Sequence, residues 1–179
     1  GLGDVYKRQF QYSPHSSLRA IIDSDPQAFA EFTGDFGEKI ECRSSLEDLE
    51  DPSGLDAIYI STPNDQHLRI IEQASILGIN ILCEKPICTN LKDLHKAVSL
   101  CKEAGVRLKS AYNQRYHPAH QLIKTLLAKG ELGQVTQIRI HYACWLSEDW
   151  SRSSVNWRID RQAAGGGASI DLIPHGLDL

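Results

Sequence analysis

The sequence has no excess of basic residues and no long apolar run. Its 19 Lys and Arg residues are outnumbered by 23 Asp and Glu residues, which gives a formal net charge of −4 at pH 7. Binding the phosphates of a nucleic acid requires a basic surface, so this charge balance argues against that class of protein. No apolar stretch approaches the roughly 20 residues that a membrane-spanning helix needs. We therefore expect neither a nucleic-acid partner nor a membrane partner.

Neither the number nor the spacing of the cysteines matches a metal-binding motif. The five cysteines are an odd number and include no Cys-x-x-Cys pair. This pattern predicts neither a disulfide framework nor a zinc site, and no other metal site is expected. Several of the cysteines lie among apolar residues and are expected to pack as small hydrophobic side chains. Such use of cysteine is typical of a reducing compartment and predicts a cytoplasmic location.

A glycine-rich phosphate-binding turn is also missing from the start of the chain. Gly1 and Gly3 have a suitable spacing, but a third glycine is absent and no strand precedes them. Residues 1–9 resemble the translation of a transposase adapter used in sequencing libraries. We therefore expect this segment to be non-native and exclude it from the predicted fold. We also expect the chain to be an internal fragment of a longer protein.

Short apolar runs alternate with amphipathic segments between residues 18 and 111. Strands are predicted at residues 18–22, 57–60, 79–82 and 106–111, and helices at residues 26–32, 65–77 and 91–104, with a single helical turn at 45–49. This alternation predicts an α/β fold, a Rossmann-type doubly wound parallel sheet whose first strand is missing. Right-handed crossovers place the carboxyl ends of all these strands on one edge of the sheet.

Asn64 or Asp65 is expected to cap the helix at 65–77 and Asn90 the helix at 91–104, and Gly78 and Gly105 are expected to end them. The predicted apolar face of the helix at 91–104 consists of Leu91, Leu94, Val98 and Cys101.

The pattern changes near residues 115–118. Pro118 suits the first turn of a helix that would run to Gly130. Apolar and polar residues alternate over residues 138–144, which is typical of a strand in a sheet with two different faces. We therefore divide the chain into a partial Rossmann domain, residues 10–117, and the start of an α+β domain with a mostly antiparallel sheet, residues 118–179.

Charged residues end two of the predicted strands. Glu84 and Lys85 follow the strand at 79–82, at the strand end where ligands bind in open α/β sheets. A half-buried lysine is suited to proton transfer because burial disfavours its charged form. The same residues also fit a plain surface turn before Pro86. Asp23 ends an earlier strand, where it would bond the ribose hydroxyls of a dinucleotide or serve as an ordinary helix-entry aspartate.

Polar residues also follow the strand at 57–60. Ser61, Thr62, Pro63 and Asn64 stand at the start of a helix, with His67 one turn further on. Backbone N–H groups and short polar side chains at such a position can hold a ribose or a pyrophosphate. Simple helix capping by Asn64 is the alternative, and His67 by itself is more often a packing histidine than a ligand.

A glycine-rich segment near the end of the chain contains an Asp–His pair. The three glycines at 165–167 would let the backbone approach a flat ligand closely. If the chain is helical from Ser169, Asp171 and His175 share one face and Asp178 follows three residues later. A carboxylate beside an imidazole is a common acid–base pair, although a surface ion pair has the same spacing. A metal site would need a third ligand, which is not evident.

Trp157 and Arg158 precede this glycine-rich segment. An arginine can bond a phosphate through two N–H groups, and a tryptophan can form the wall of a pocket. Core packing explains Trp157 equally well, so both interpretations stay open.

Together these motifs resemble the Gfo/Idh/MocA family of nicotinamide-dependent sugar and inositol oxidoreductases. The resemblance rests on Asp23, residues 61–64 with His67, Glu84-Lys85-Pro86, Asn113-Gln114-Arg115, Trp157-Arg158 and residues 165–178. It implies that residues 10–117 are part of an NAD(P)-binding Rossmann domain. It also implies that residues 118–179 begin a C-terminal domain with a large, mostly antiparallel sheet.

The resemblance implies a role for each candidate site residue. His175 would take the proton of a substrate hydroxyl, Lys85 would bond the reacting oxygen, and Asp171 would hold substrate hydroxyls or tune the pair. The implied cofactor site is lined by Asp23, Ser61, Thr62, Pro63, Asn64, His67, Glu84, Lys85, Asn113, Trp157 and Arg158. The Lys85-Pro86 peptide is implied to be cis.

The same resemblance implies the partners of the complete protein. The cofactor would be NAD, with NADP possible, and Asp23 favours NAD. The substrate would be a sugar, an inositol or a related polyol, and the complete protein would form a homo-oligomer. Three alternatives stay open: an NAD-dependent glycosidase on the same scaffold, a non-catalytic NAD-binding relative, and an inert fragment. The acid–base group argues against a pure binding protein, which has no need of one.

Overall fold

A computed structural model of the chain describes residues 13–30, 40–141, 143, 145 and 156–179. The segment predicted to be non-native, residues 1–9, lies outside these ranges. The helix predicted at residues 26–32 is described as far as residue 30, and residues 26–30 are helical.

The strands and helices alternate along the first part of the chain, as the sequence predicts. The strands are β1 (Ala20–Ile22), β2 (Glu41–Arg43), β3 (Ala57–Ile60), β4 (Asn80–Cys83) and β5 (Leu108–Ser110). Beyond residues 26–30, the labelled helices are α1 (His67–Ile76), α2 (Leu91–Glu103), α3 (Pro118–Ala128), α4 (Arg161–Ala164), α5 (Ala168–Asp171) and α6 (Ile173–Leu177). Short 3-10 turns lie at Leu46–Asp48, Pro52–Gly54, Asn64–Gln66, Asn113–Tyr116 and Trp157–Ile159.

The described strands form two parallel sheets. Strand β1 pairs with β2, which the sequence analysis did not predict, and β4 lies between β3 and β5. Within the described ranges no strand pairs with both β1 and β3, so the two sheets share no ladder of backbone hydrogen bonds. In the strand order 3-2-1-4-5-6 of a Rossmann sheet, the first strand occupies this position. The architecture is the predicted Rossmann-type α/β fold.

The core lies between the larger sheet and helices α1 and α2. Ile60 and Ile81 of the sheet are buried, and Ile71 of α1 is fully buried. Helix α2 buries Ala97 and Cys101; Cys101 belongs to the predicted apolar face, whereas Leu91 and Val98 of that face are exposed. These small side chains let α2 approach α1 closely, since the Ser75 hydroxyl and the Cys101 thiol lie 3.4 Å apart. The face that α2 buries is therefore rotated from the predicted face, and Cys101 is common to both.

The helix ends follow the predicted signals at all but one position. Asn90 caps α2, since its side-chain oxygen accepts a hydrogen bond of 2.9 Å from the N–H of Asp93. Gly78 and Gly105 end α1 and α2 with φ angles of 72° and 69°, a conformation that favours glycine. The predicted capping of α1 by Asn64 or Asp65 is wrong, because both residues lie in the 3-10 turn Asn64–Gln66 that precedes the helix.

The second part of the chain departs from the predicted pattern in two places. Residues 135–141 carry no strand, although an alternating strand was predicted at 138–144; residues 142 and 144 lie outside the described ranges. A strand needs a hydrogen-bonding partner, and no described segment provides one here. The single helix predicted from Ser169 is broken at Leu172 into α5 and α6. Pro174 accounts for the break, because proline lacks the N–H group that a continuous helix would use.

Among the described residues, neither a membrane-spanning helix nor a metal-binding cluster is found. None of the helices within these ranges combines the length and apolar character needed to cross a bilayer. The same ranges contain no cluster of three or more His, Cys, Asp or Glu residues that could hold a metal ion. Cys83 and Cys101 are free thiols buried in the core, as predicted for small hydrophobic side chains.

Candidate active site

The candidate site lies at the carboxyl edge of the larger sheet. Because β3, β4 and β5 are parallel, the residues that follow them emerge on the same side. Residues 61–64 follow β3, Glu84 and Lys85 follow β4, and Asn113 begins the turn after β5. Asp23 follows β1 on the smaller sheet.

Lys85 and Asp171 form the central contact of this site. The Lys85 side chain is only 8% exposed, and its Nζ donates to Asp171 Oδ1 at 2.5 Å. It also donates to the backbone carbonyl of Asp171 at 2.8 Å. The Lys85-Pro86 peptide is cis, as the resemblance implies. The buried ammonium group of Lys85 thus joins the turn after β4 to helix α5, 86 residues later in the sequence.

Glu84 orients the same turn through a contact that the sequence analysis did not find. The Tyr59 hydroxyl donates to Glu84 Oε1 at 2.6 Å, and the backbone N–H of Lys85 donates to Glu84 Oε2 at 3.1 Å. Both carboxylate oxygens therefore already accept hydrogen bonds from the protein. The alternation of side chains in β3 marks Tyr59 as facing away from Ile60, but it does not indicate this partner.

His175 lies on α6, close to Lys85 and Asp171. Burial is the main cause that lowers the pKa of its imidazole below the ordinary value of 6.5, and the positive charge of Lys85 lowers it further. The carboxylates of Asp171, Glu84 and Asp178 act in the opposite direction. The net effect favours the neutral imidazole near neutral pH, which is the form that can accept a proton.

The structure places His67 inside the wall of the site rather than on its surface. Its side chain is fully buried. Its Nδ1 lies 3.0 Å from the carbonyl oxygen of Pro86, and its Nε2 lies 3.0 Å from that of Thr62. In either tautomer a ring N–H donates to a backbone carbonyl. His67 therefore ties the loop after β3 to the turn that carries Lys85, and whether it also contacts a cofactor stays a prediction.

Asn64 joins the glycine-rich segment to the sheet. It is buried, and its side-chain Nδ2 donates to the carbonyl oxygen of Ala164 at 2.9 Å. Gly165 follows directly and has a φ angle of 78°. A Cβ atom at Gly165 would lie within 2.5 Å of the Thr89 Cβ. Gly165 is therefore needed because its backbone packs closely against the side chain of Thr89. The sequence analysis had attributed the glycines of this segment to close approach of a ligand.

Replacing Gly165 with alanine is expected to lower the free energy of unfolding by about 2 kcal/mol or more. A left-handed backbone costs a residue with a Cβ roughly 1–2 kcal/mol, and the overlap with Thr89 adds to this. Gly133→Ala is a matched control, because Gly133 has a φ angle of 67° and open space around its Cβ position. Urea unfolding of both variants measures the difference. Equal losses would show that the contact with Thr89 carries no cost.

The other predicted cofactor residues lie in ordinary local structures. Asp23 Oδ1 accepts a hydrogen bond of 2.9 Å from the N–H of Asp25, which matches the helix-entry interpretation without excluding a ligand. The Arg158 guanidinium stacks on Trp157, 4.5 Å from the ring centroid. Asn113 is exposed at the start of its turn. Whether Asp23, Asn113, Trp157 and Arg158 contact a cofactor stays a prediction.

The donor groups of the described residues fit one part of a dinucleotide. The hydroxyl oxygens of Thr62 and Ser110 are buried at the carboxyl ends of β3 and β5, and neither has a protein partner within the described ranges. Such hydroxyls suit the ribose and amide groups of a nicotinamide nucleoside. A glycine-rich turn between a strand and a helix, which would hold the pyrophosphate, is not found among the described residues.

Comparison with known families identifies this arrangement. Residues 1–112 match the family model described as an oxidoreductase family with an NAD-binding Rossmann fold. The chain belongs to the Gfo/Idh/MocA family. Residues 120–179 match the Gfo/Idh/MocA C-terminal domain. The family assignment agrees with the resemblance drawn from the sequence motifs.

Relatives in this family act on sugars and polyols by name. The chain is 33% identical over 135 residues to the 1,5-anhydro-D-fructose reductase of Ensifer adhaerens, covering 75% of this chain and 39% of the relative. It is 25% identical over 178 residues to the inositol 2-dehydrogenase of Rhizobium meliloti, covering 99% of this chain and 50% of the relative. The chain thus spans half or less of the length of these two relatives.

A solved structure shows the same fold. The chain superimposes on the aldose-aldose oxidoreductase of Caulobacter crescentus, complexed with glycerol, with a TM-score of 0.78. The sequences are 24% identical, and the match covers 94% of this chain and 50% of that one. At this identity the likeness establishes the fold alone.

Proposed function

We propose that the full protein containing this chain is an NAD(P)-dependent dehydrogenase of sugars, inositols or related polyols. The observation that carries the proposal is the meeting of Lys85, Asp171 and His175 at the carboxyl edge of the sheet. Lys85 contacts Asp171 directly, and the charges of both act on the pKa of His175. A neutral imidazole can take the proton of a hydroxyl, and a fixed cation beside it can stabilise the charge that develops on the oxygen.

The chain's own residues would handle the proton and the charge on the reacting oxygen. His175 takes the proton of the substrate hydroxyl as the carbonyl forms. Lys85 donates a hydrogen bond to the same oxygen and stabilises its developing negative charge. Asp171 keeps the Lys85 ammonium oriented through the contacts described above. Residues 61–64, Glu84 and Asn113 would hold the cofactor, which would supply the acceptor for the hydride from the substrate carbon.

The substrate class rests on the relatives and on the chemistry of the site. The named relatives act on an anhydro-sugar and on inositol. A base and a cation placed around one oxygen suit the oxidation of a hydroxyl group, and sugars and inositols carry several such groups. Asp23 at the end of β1 favours NAD over NADP, because a carboxylate repels a 2′-phosphate. A cytoplasmic location and a homo-oligomeric state of the complete protein belong to the same proposal.

The test is NADH formation by the full-length protein with NAD and a panel of sugars and inositols, followed by absorbance. The proposal predicts NADH from at least one polyol. Cleavage of a glycoside without net NADH would favour the NAD-dependent glycosidase instead. Tight NAD binding with neither reaction would favour a non-catalytic relative. Either of these two results would overturn the proposal.

The rate of polyol oxidation is expected to fall as the pH drops below 6.5. The base must be neutral to take the proton, and burial and Lys85 hold the pKa of His175 below its ordinary value. The acid limb of the kcat/KM profile should therefore have its midpoint below pH 6.5 and should flatten in His175→Gln. An acid limb at or above the ordinary histidine value in the wild-type protein would contradict this assignment.

A further inference from the structure

Arg115 forms an ion pair with the buried carboxylate of Asp178, three residues after the candidate base His175. It lies in the turn after β5, and its side chain is 59% exposed. Its Nε donates to Asp178 Oδ2 at 2.6 Å, and its second guanidinium nitrogen, Nη2, donates to Asp178 Oδ1. The Asp178 side chain is only 5% exposed. A bidentate contact of this kind fixes the orientation of the carboxylate as well as its position.

A second contact leads from Arg115 to the same imidazole. The guanidinium carbon of Arg115 lies 5.7 Å from the centroid of the Tyr112 ring. Tyr112 in turn meets His175 edge to face, with ring centroids 6.5 Å apart and planes at 86°. His175 is therefore approached from Arg115 by two routes, through Tyr112 on one side and through Asp178 on its own segment.

Helix α6 depends on such contacts for its position. It has only five residues, Ile173–Leu177, and Asp178 is its C-cap residue. A helix this short has too few internal hydrogen bonds to be stable by itself. The Arg115–Asp178 pair attaches the C-terminal end of α6 to the turn after β5, one turn of chain from His175.

We propose that Arg115 is a positioning residue that sets the place and electrostatic environment of His175 by holding Asp178 and Tyr112. Arg115 would act through these two residues without touching the substrate itself. The inference rests on the proposed function only in that His175 is taken as the base.

The charges around His175 give the proposal a distinctive signature. The groups that face it are Lys85 and Glu84 from the turn after β4, Asp171 from α5, Asp178 after α6, and the neutral Tyr112. Asp178 already favours the protonated imidazole. Without Arg115, the Asp178 charge loses its counter-charge and stabilises the imidazolium more strongly. The pKa of His175 should then rise, and it should fall again once the charge of Asp178 is removed.

The experiment is an NMR titration of the unliganded full-length protein labelled with ¹³C-histidine, with the His175 signal assigned by its loss in His175→Gln. The pKa of His175 is expected to rise in Arg115→Ala. It should rise less in Arg115→Lys, which keeps the positive charge but cannot form the bidentate contact with Asp178. It should fall back in Arg115→Ala/Asp178→Asn. Arg69→Ala, an exposed arginine on α1, is the matched control and should leave the titration unchanged.

Kinetics provide the second readout. Arg115→Ala is expected to lower kcat by about 10- to 100-fold, the effect of a small misplacement of a catalytic group, with a smaller loss in Arg115→Lys. If the pKa of His175 in Arg115→Ala equals that in the wild-type protein, the inference is wrong. If Arg115→Ala does not fold, an unchanged pKa of His175 in Arg115→Gln, which removes the charge but keeps a long polar side chain, would overturn it equally. The titration needs no substrate, so it decides the role of Arg115 even if no polyol is oxidised and the proposed function fails.

Discussion

Replacing Lys85 with methionine is expected to lower kcat/KM for polyol oxidation by about 10²- to 10³-fold. This is the usual effect of removing one donor that stabilises a developing oxyanion. Methionine matches the four-atom stem of lysine and lacks only the ammonium group, so the packing around the stem of Lys85 is kept. The variant protein is expected to fold, because Asp171 is 43% exposed and water can solvate its released carboxylate. Initial rates of NADH formation measure the loss.

The control for this variant is Lys102→Met. Lys102 is exposed in the last turn of α2, at the end of the helix opposite to the turn that carries Lys85, so its replacement changes the net charge equally and should leave the rate unchanged. The acid limb of any residual activity in Lys85→Met should also move to higher pH, because the positive charge that lowers the pKa of His175 is gone. A Lys85→Met enzyme that keeps most of its activity would show that Lys85 does not contact the reacting oxygen.

Replacing His67 with alanine is expected to lower the free energy of unfolding by about 2–5 kcal/mol. The imidazole is fully buried and lies 3.0 Å from two backbone carbonyls. Its removal leaves a cavity and takes away a hydrogen bond to a buried carbonyl, each of which costs on the order of 1–3 kcal/mol. Urea unfolding followed by circular dichroism measures the change.

His95→Ala is the matched control for the His67 variant. His95 is exposed on α2, so its replacement should change stability by no more than about 0.5 kcal/mol. His67→Gln should recover part of the loss, since its amide can donate to one of the two carbonyls. If the His67 and His95 variants are equally stable, the link between the Thr62 and Pro86 loops does not hold the site.

The sequence predicts those parts of the fold that depend on local patterns. Strand β3 is found at residues 57–60 as predicted, and the Asn90 cap and the glycines that end α1 and α2 follow directly from local backbone chemistry. Strand β2 was missed, because its three residues, Glu41–Arg43, show no apolar pattern and depend on pairing with β1. The break at Leu172 was missed because the helical spacing of Asp171 and His175 outweighed the signal of Pro174.

The candidate site divides in the same way. The family resemblance predicts Lys85, Asp171 and His175, and the structure brings them together, although no spacing in the sequence indicates that Lys85 meets Asp171. Tyr59 and Arg115 were not predicted as site residues, because their partners lie 25 and 63 residues away in the sequence. Contacts over such separations are set by tertiary packing, which residue patterns do not encode individually. Whether the predicted residues bind a cofactor stays a prediction.

The division of the described strands into two sheets links folding to ligand binding. Asp23 belongs to the β1–β2 sheet and Lys85 to the β3–β4–β5 sheet, and these sheets share side-chain packing but no backbone ladder within the described ranges. A ligand that contacts both residues can bind only when the sheets are docked. Binding of such a ligand therefore stabilises the docked arrangement of the two sheets. A dinucleotide at this edge would act as a brace between the two halves of its own domain.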